Sequence, residues 1–148
     1  MDAEIYRISG RMIRLCNALI WFRNRELERL GLTSSQFEVL RFLLLHRGRE
    51  VTAGLLMREL GLSQSTVAGI LKRLCDKGFI ERRSDERDLR RGIIRLTSAG
   101  LALEAELQGI ALSSEGVLLR GMTGAEAAEL YRLLGVALSN MDAERSGD

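Results

Sequence analysis

The sequence predicts a mainly α-helical protein with a small β-wing, and three observations indicate this fold class. Apolar residues recur at spacings of three and four through most of the 148 residues, which is the period of amphipathic helices. The chain contains no proline, so long helices can run without interruption. Two short segments, 79–83 and 92–96, flank a charged loop at 84–91 and predict a β-hairpin.

The segment 52–97 contains a more specific pattern: a helix, a tight turn at Gly61 and a second helix. Ser63 is a good N-cap for the second helix, because its hydroxyl can accept a hydrogen bond from a free N–H of the first turn. Gly78 is suited to ending that helix. The apolar face of the helix consists of Val67, Ile70, Leu71 and Leu74. Together with the hairpin, these elements form a winged helix-turn-helix, a shape that places one helix in the DNA major groove.

The outer face of the second helix is the predicted DNA-contacting surface. Its first turn can meet base edges or phosphates, while Lys72 and Arg73, further along, are placed for phosphates. Two other interpretations stay open. The helix can be an ordinary amphipathic helix with a solvated face, and Arg73 can pair with an acid of the wing. The predicted DNA contacts in this helix are Gln64, Ser65, Thr66, Gly69, Lys72 and Arg73.

The wing carries six arginines among four acids between residues 81 and 97. An isolated charged hairpin is usually a soluble sheet edge, but beside a helix-turn-helix its arginines can reach phosphates or the minor groove. Asp88 and Arg90 lie two residues apart, on the same side of an extended backbone, so the carboxylate can orient the guanidinium. The predicted wing contacts are Arg87, Asp88, Arg90 and Arg91.

In this order, the motifs resemble those of the MarR (multiple antibiotic resistance regulator) family of winged helix-turn-helix transcription factors. The matching residues include Leu62-Ser63 with Thr66-Val67, Lys72-Arg73-Leu74, Gly78-Phe79-Ile80-Glu81-Arg82, Asp88-Leu89-Arg90, and Leu96-Thr97 with Gly100. The resemblance covers nearly the whole chain and singles out Asp88 and Arg90 as a matched pair. It implies a homodimeric DNA-binding regulator that binds a pseudo-palindromic operator in double-stranded DNA, as a repressor that responds to a ligand.

The two ends of the chain, residues 1–32 and 98–148, are predicted to form a helical dimerisation region around a DNA-binding domain at 33–97. The N-terminal helix pattern has two apolar lines, and a small winged helix cannot cover both. The alternative is a first helix buried among neighbours of its own domain. The last helix, capped by Thr123, repeats apolar residues at 127–141, and residues 113–116 are expected to kink or break the preceding helix. The N-terminal lines consist of Ile5, Ile8, Met12, Leu15, Leu19 and Phe22, and of Ile13, Cys16, Ile20 and Leu27.

Composition narrows the class of function. The net charge is only +2, but residues 58–95 contain ten cations and six acids, so positive charge concentrates on the predicted DNA-binding part. No segment is apolar enough to span a membrane, and we expect a cytoplasmic protein. A single histidine, His46, is placed to cap a helix, and no set of catalytic, metal-binding or cofactor-binding residues is recognisable, so an enzyme is not expected. A winged helix that docks proteins instead of DNA stays an alternative.

Cys16, Cys75 and Trp21 are the residues to consider for sensing an oxidant or a small ligand. Some members of the resembled family sense peroxides through a first-helix cysteine, so a redox-sensing regulator acting through Cys16 is an alternative. Cys16 lies in an apolar line, however, and a buried, inert thiol is the preferred interpretation, as is a packing role for Cys75.

A small aromatic or anionic effector is expected where the first two helices and the post-wing helix meet the DNA-binding unit. Trp21 is the candidate aromatic wall of that ligand site, with a core position as the other interpretation.

Overall fold

The computed structural model describes residues 6–84 and 92–146. The order of elements is α1 (Arg7–Leu27), α2 (Ser34–Leu45), β1 (Val51–Thr52), α3 (Ala53–Leu60), α4 (Gln64–Asp76), β2 (Ile80–Ser84), β3 (Gly92–Leu96), α5 (Ser98–Ala102), α6 (Glu104–Leu118) and α7 (Gly124–Ser146), with a 3-10 turn at Glu28–Leu30 after α1. The chain divides into two compact units, residues 1–114 and residues 115–148. The predicted mainly α-helical class with a small β-wing is confirmed.

Side-chain caps fix where the helices begin. A hydroxyl accepts the N–H of the residue three positions later at Thr33 (3.3 Å), Thr52 (3.2 Å), Ser63 (3.2 Å) and Thr97 (3.1 Å). The cap at Ser63 confirms the predicted start of α4, and the other three caps fix the starts of α2, α3 and α5. In the second unit Thr123 caps α7 and donates its own N–H to Glu126 at 2.8 Å. That backbone hydrogen bond is the main reason why the pKa of Glu126 is lowered, and a hydrogen bond with the Thr123 side chain lowers it further.

The three described strands form one antiparallel sheet in the order β1-β3-β2. The hairpin matches the prediction to within one residue, and it pairs Ile80 with Leu96 at the base of the wing. The base is closed by Thr97, whose N–H donates to the Phe79 carbonyl at 3.0 Å and whose hydroxyl donates to the Gly78 carbonyl at 2.5 Å. This closure holds the end of the hairpin directly against the end of α4.

The core of the first unit lies between α2, α4 and the sheet. Phe37 and Leu40 from α2 are fully buried, as is Leu56 from α3, and Ile94 contributes from β3. The predicted inner face of α4 is buried, namely Val67, Ile70, Leu71 and Leu74. Burying that face fixes the rotation of α4, so its opposite face points away from the core.

The predicted break at residues 113–116 is wrong, because α6 continues through them to Leu118. Ser114 is buried, and its hydroxyl donates to the Ala111 carbonyl at 2.9 Å within the same helix. It also accepts a hydrogen bond from Arg23 Nε at 3.2 Å. The two hydrogen bonds satisfy the buried hydroxyl within the continuous helix. The interruption lies instead at Leu103, between α5 and α6.

Both ends of the chain leave apolar side chains uncovered. In α1 only Leu27 is buried, so burial of the first helix within its own domain does not hold for most of its length. The exposed apolar side chains of α1 include Ile8, Met12, Ile13, Leu15, Ile20 and Trp21. Those of α7, in the second unit, include Tyr131, Leu133, Leu134, Val136, Leu138 and Met141. In the part of the chain that is described, no helix is long and apolar enough to cross a membrane.

Candidate nucleic-acid interface

The candidate interface begins at the turn between α3 and α4. Gly61 ends α3 in the left-handed conformation, with φ of 63° and its N–H bonded to the Met57 carbonyl. The N–H of Leu62 donates to the same carbonyl at 3.1 Å, and Ser63 then caps α4. This tight turn needs the conformational freedom of glycine, and it lets α4 leave the core with its outer face uncovered.

The first turn of α4 carries a small cluster of hydroxyl groups. Ser63 Oγ lies 2.8 Å from Thr66 Oγ1 and 3.2 Å from Ser65 Oγ, in addition to accepting the Thr66 N–H. The orientations of the Ser65 and Thr66 side chains are therefore coupled to the cap. Gln64 is exposed, and its side chain makes no hydrogen bond within the described residues. Of the three predicted contacts in this turn, Gln64 thus has the most unused hydrogen-bonding capacity.

Further along α4, the predicted DNA contacts differ in whether other groups of the protein already occupy them. A Cβ added to Gly69 would meet no atom within 4 Å, so this position is open. Lys72 Nζ lies 3.2 Å from the Asp76 carboxylate, in a pair with both side chains exposed. Arg73 is exposed and its side chain has no hydrogen bond or ion pair among the described residues. The open alternative, in which Arg73 pairs with a wing acid, does not hold for the described acid Glu81, which is paired with Arg83.

Lys77, the second lysine of the chain, has a role that the sequence did not reveal. Its Nζ donates to the backbone carbonyl of Gly31, 46 residues earlier in the chain. Gly31 has φ of 63° and ends the 3-10 turn that follows α1. The contact joins the last turn of α4 to the connection between α1 and α2. Lys77 is therefore a structural residue and not a free cation for DNA.

In the wing, Arg87, Asp88, Arg90 and Arg91 lie outside the described residues, and their contacts stay predictions. The strands on either side carry arginines that the list of predicted contacts omitted. Arg83 Nε lies 2.9 Å from Glu81, and Arg95 stands opposite Glu81 in the sheet. Arg82 lies against Gly92, where an added Cβ would be 3.2 Å from its Nη2. The high number of arginines in the wing sequence was the one feature that could have identified these strand arginines as candidate contacts.

The sequence and the fold were compared with those of known proteins, and both are similar to MarR-type transcriptional regulators. The model of the MarR family matches residues 30–91, which contain the helix-turn-helix and β2. The helix-turn-helix part of the chain is thus similar to the MarR family. A crystal structure of MarR from E. coli is similar, with 29% identity, a TM-score of 0.70, and coverage of 87% of this chain and 96% of that one.

Two similar structures of MarR-type folds contain DNA. The S. aureus MepR–DNA complex has 25% identity, a TM-score of 0.84, and coverage of 90% of this chain and 97% of the other. A MarR-family transcriptional regulator from Listeria monocytogenes, complexed with 26mer DNA, has 22% identity, a TM-score of 0.86, and coverage of 93% and 90% respectively. The fold of this chain is thus one that occurs in structures of protein–DNA complexes.

The first unit has a cavity of about 360 Å³ between α1, α2 and α3, near the place expected for an effector. Arg23 and Glu38 form a 2.6 Å ion pair on its wall, and Arg41 also binds Glu38 at 3.0 Å. Trp21, the candidate ligand wall, does not line this cavity. It is 63% exposed, so it is not a core residue either, and the Arg25 guanidinium lies 5.8 Å from its ring centroid.

A second cavity, of about 430 Å³, lies at the base of the wing, between the end of α2, β1, β3 and α5. Its apolar wall consists of Leu43, Val51, Ile94, Leu96 and Leu101, and its polar rim includes His46, Arg47, Arg49, Glu50 and Arg95. His46 caps α2 as predicted. Its Nδ1 lies 2.8 Å from the Phe42 carbonyl, and since a carbonyl can only accept, Nδ1 is the donor.

The two cysteines differ from each other in environment. Cys75 is half-buried against the core, in agreement with a packing role. Cys16 is exposed in the single chain, so the expectation of a buried thiol is wrong for the isolated subunit. The reason is that α1 packs on its own unit mainly through its C-terminal end, around Leu27. Within the described residues, no group of three or more His, Cys, Asp or Glu side chains is arranged to hold a metal ion.

Proposed function

We propose that this chain is a DNA-binding transcriptional regulator that reads duplex DNA with α4 in the major groove. The observation that carries the proposal is the division of α4 into two faces. Its inner face is buried in the core, while Ser65, Gly69 and Lys72 lie on an open outer face. An α-helix fits the width of the major groove, and this face has no large side chain in its first two turns to prevent close approach. MepR and the Listeria regulator, which share the fold, have been crystallised with DNA.

The position of a residue along α4 determines whether it contacts bases or phosphates. Gln64, Ser65 and Thr66 meet base edges or nearby phosphates, assisted by the free N–H groups at the helix start. Lys72 and Arg73 contact phosphates, which position the protein without reading the base sequence. The wing adds affinity: Arg87, Arg90 and Arg91 reach phosphates or the minor groove, and Asp88 orients the Arg90 guanidinium.

The regulator functions as a homodimer. Tyr131 of α7 is 82% exposed and Ile8 of α1 is 74% exposed, and each belongs to a series of exposed apolar residues on its helix. Contiguous exposed apolar patches of this kind are typical of surfaces that bind another protein. We assign residues 1–32 and 98–148 to dimerisation and residues 33–97 to DNA binding. Two symmetric α4 helices then read the two halves of a pseudo-palindromic operator.

Repression and relief of repression by a small ligand complete the proposal. An operator that overlaps a promoter is blocked by the bound dimer, and a ligand that binds better to the DNA-free conformation releases it. The two cavities of the first unit are the candidate ligand sites.

Selection of genomic fragments with the purified protein tests the proposed function. We expect enriched pseudo-palindromic sites, and a salt-dependent affinity that reflects phosphate contacts. On the selected operator, Gln64→Ala and Ser65→Ala should lower the ratio of specific to non-specific affinity, whereas Lys72→Ala should weaken both equally. Absence of salt-dependent binding to any duplex would contradict the proposal and favour a protein-docking winged helix.

A further inference from the structure

Arg23, in the last two turns of α1, contacts both α2 and α6 through its guanidinium group. Its Nη1 donates to the Glu38 carboxylate on α2 at 2.6 Å, and its Nε donates to Ser114 Oγ on α6 at 3.2 Å. The guanidinium carbon lies 5.1 Å from the centroid of the buried Phe37 ring. The side chain of Arg23 is 17% exposed, so these charge-assisted hydrogen bonds form largely out of contact with water, where they are stronger.

Both hydrogen-bond partners of Arg23 are held in place by contacts of their own. Ser114 is 1% exposed and donates its hydroxyl proton to the Ala111 carbonyl, which leaves the hydroxyl oxygen to accept from Arg23. Glu38 is also bound by Arg41 Nε at 3.0 Å, within the same helix α2. The planar guanidinium thus meets two acceptors whose positions are fixed, and this restricts the orientation of α1 relative to α2 and α6.

The next residue, Asn24, adds a contact at the start of α2. Its side-chain oxygen accepts the N–H of the buried Ser34 at 2.7 Å. That N–H is one of the backbone donors that the start of a helix leaves without an intrahelical partner. Arg23 and Asn24 therefore hold α1 at two points of α2 that lie one helical turn apart. Rotation of α1 on α2 breaks at least one of these hydrogen bonds.

Two other ion pairs reach the first turn of α6, and both are more exposed than the Arg23 contacts. Arg29 Nη1 lies 3.1 Å from Glu106, with side chains that are 61% and 45% exposed. Arg47 pairs with Glu104, and both of these side chains are about half exposed. Exposed ion pairs contribute little to stability. The position of α6 therefore depends more on Arg23 than on these two pairs.

We propose that Arg23 is a positioning residue that determines which spacing between operator half-sites the protein accepts. This role rests on the proposed function, in which α1 and α6 belong to the dimerisation region and α2 and α4 to the DNA-binding domain. Arg23 joins the two regions within each subunit, so it limits how far the two α4 helices of a dimer can move apart or rotate. One added base pair separates half-sites by about 3.4 Å and rotates them by about 34°. A stiff junction at Arg23 rejects such operators.

The test uses operator duplexes in which the selected half-site spacing is lengthened or shortened by one or two base pairs. We expect the wild type to bind the selected spacing at least about tenfold more tightly than the others. Arg23→Met leaves Glu38 paired with Arg41 and Ser114 bonded to Ala111, so the variant should fold. It should reduce the discrimination between spacings about three- to tenfold, while affinity for a duplex with a single half-site stays unchanged.

Matched variants identify the contact that sets the spacing. Arg29→Gln breaks an exposed ion pair to α6 and should keep the wild-type spacing preference. Ser114→Ala removes the acceptor on α6 alone and should relax the preference less than Arg23→Met does. The double variant should behave like Arg23→Met, because the two residues act through one contact. Arg23→Lys keeps the charge beside Glu38 without the guanidinium fork and should be intermediate. Circular dichroism and melting temperature establish that each variant is folded.

Pulsed electron paramagnetic resonance measures the stiffness of the same junction without DNA. A nitroxide label on Ala68→Cys, in a Cys16→Ser/Cys75→Ala background, reports the distance between the exposed faces of the two α4 helices in a dimer. Arg23→Met should widen the distribution of this distance, and Arg29→Gln should leave it unchanged.

Unchanged spacing discrimination in Arg23→Met overturns the proposal, and so does equal relaxation in Arg29→Gln. A loss of affinity by the same factor for every spacing and for the single half-site indicates a merely structural role and also overturns it. Failure of the wild type to bind any duplex rejects the proposed function. In that case a widened label distribution in Arg23→Met still supports the positioning role, and an unchanged distribution rejects it. A monomeric wild type rejects the dimer on which the positioning role depends.

Discussion

Lys72 and Asp76 form an ion pair of 3.2 Å on the surface of α4 that is proposed to face DNA. The side chains are 78% and 63% exposed, so the pair is weak and a phosphate can compete for the ammonium. The acid therefore lowers DNA affinity in two ways, by occupying Lys72 and by repelling phosphates. Neither effect was evident from the sequence, where Asp76 was one more polar residue on the outer face.

Asp76→Asn should tighten operator and non-specific binding by a similar factor, because a phosphate contact carries no sequence information. The expected gain is about 0.3–1 kcal/mol, typical of an exposed ion pair. Fluorescence anisotropy over a range of salt concentrations measures both affinities. If Asp76 acts through Lys72, the Lys72→Ala/Asp76→Asn double variant should bind like Lys72→Ala. A gain that persists in the Lys72→Ala background would instead indicate general repulsion.

Gly69→Gln should abolish operator binding while the protein stays folded. The position is open, with no atom within 4 Å of an added Cβ, so the cost is steric and arises only in the groove. Loss of a helical glycine should raise stability by about 0.5–1 kcal/mol. Operator affinity and melting temperature are measured together, with Gly109→Gln in α6 as the control that keeps DNA binding. Full operator affinity in Gly69→Gln would show that this face does not enter the groove.

Gly100→Ala should destabilise the fold, in contrast to substitution at open glycines. An added Cβ would lie 2.1 Å from the Phe79 carbonyl oxygen and 3.1 Å from Leu96 Cδ2. Relief of this clash requires the wing base and α5 to separate, at a cost of about 1–3 kcal/mol. Urea denaturation measures the free energy of unfolding, with Gly109→Ala expected to be more stable by about 0.5–1 kcal/mol. Equal effects of the two substitutions would contradict the close approach at Phe79.

The combination Leu15→Asp with Leu134→Asp should dissociate the proposed dimer. In the single chain these side chains are 44% and 39% exposed, so the charges cost little until a partner buries them. Light scattering at micromolar concentration measures the mass, and circular dichroism measures the helix content. Asn17→Asp with Asn140→Asp adds the same charge to the same two helices at exposed polar positions. A stable, folded wild-type monomer at that concentration would exclude the dimer.

Arg90→Ala in the wing should weaken DNA binding by roughly 1–3 kcal/mol if the guanidinium enters a groove. Asp88→Ala should produce part of the same loss, although it removes a negative charge, because the guanidinium is then no longer oriented. Simple charge repulsion gives the opposite sign for Asp88→Ala. A binding titration decides between them, and improved affinity in Asp88→Ala would exclude the orienting role.

Local interactions explain why much of the fold was predictable. The caps at Thr33, Ser63 and Thr97 bond to residues three positions away, and the buried face of α4 follows from a period within one helix. The register of the hairpin likewise follows from neighbouring strands. These elements of the candidate interface were therefore visible before any tertiary contact was known.

The features that could not be predicted from the sequence depend on contacts between distant segments of the chain. The Lys77 bond to Gly31 spans 46 residues, and the Arg23 bond to Ser114 spans 91. Exposure of Cys16 and Trp21 depends on which part of α1 its own unit covers, and an apolar periodicity does not determine that. The cavity at the wing base combines residues of α2, β1, β3 and α5, so no single stretch of sequence contained its pattern.

The closed base of the wing has a consequence for how such a regulator can diversify. Thr97 bonds to both Gly78 and Phe79, and so anchors the hairpin at its base. We therefore expect insertions, deletions or exchanges between Ser84 and Gly92 to leave this anchor in place. A gene duplicate can acquire a new wing by loop replacement alone and change its set of operators while it inherits the scaffold intact. The same property makes the segment a convenient graft point for engineering regulators with altered target ranges.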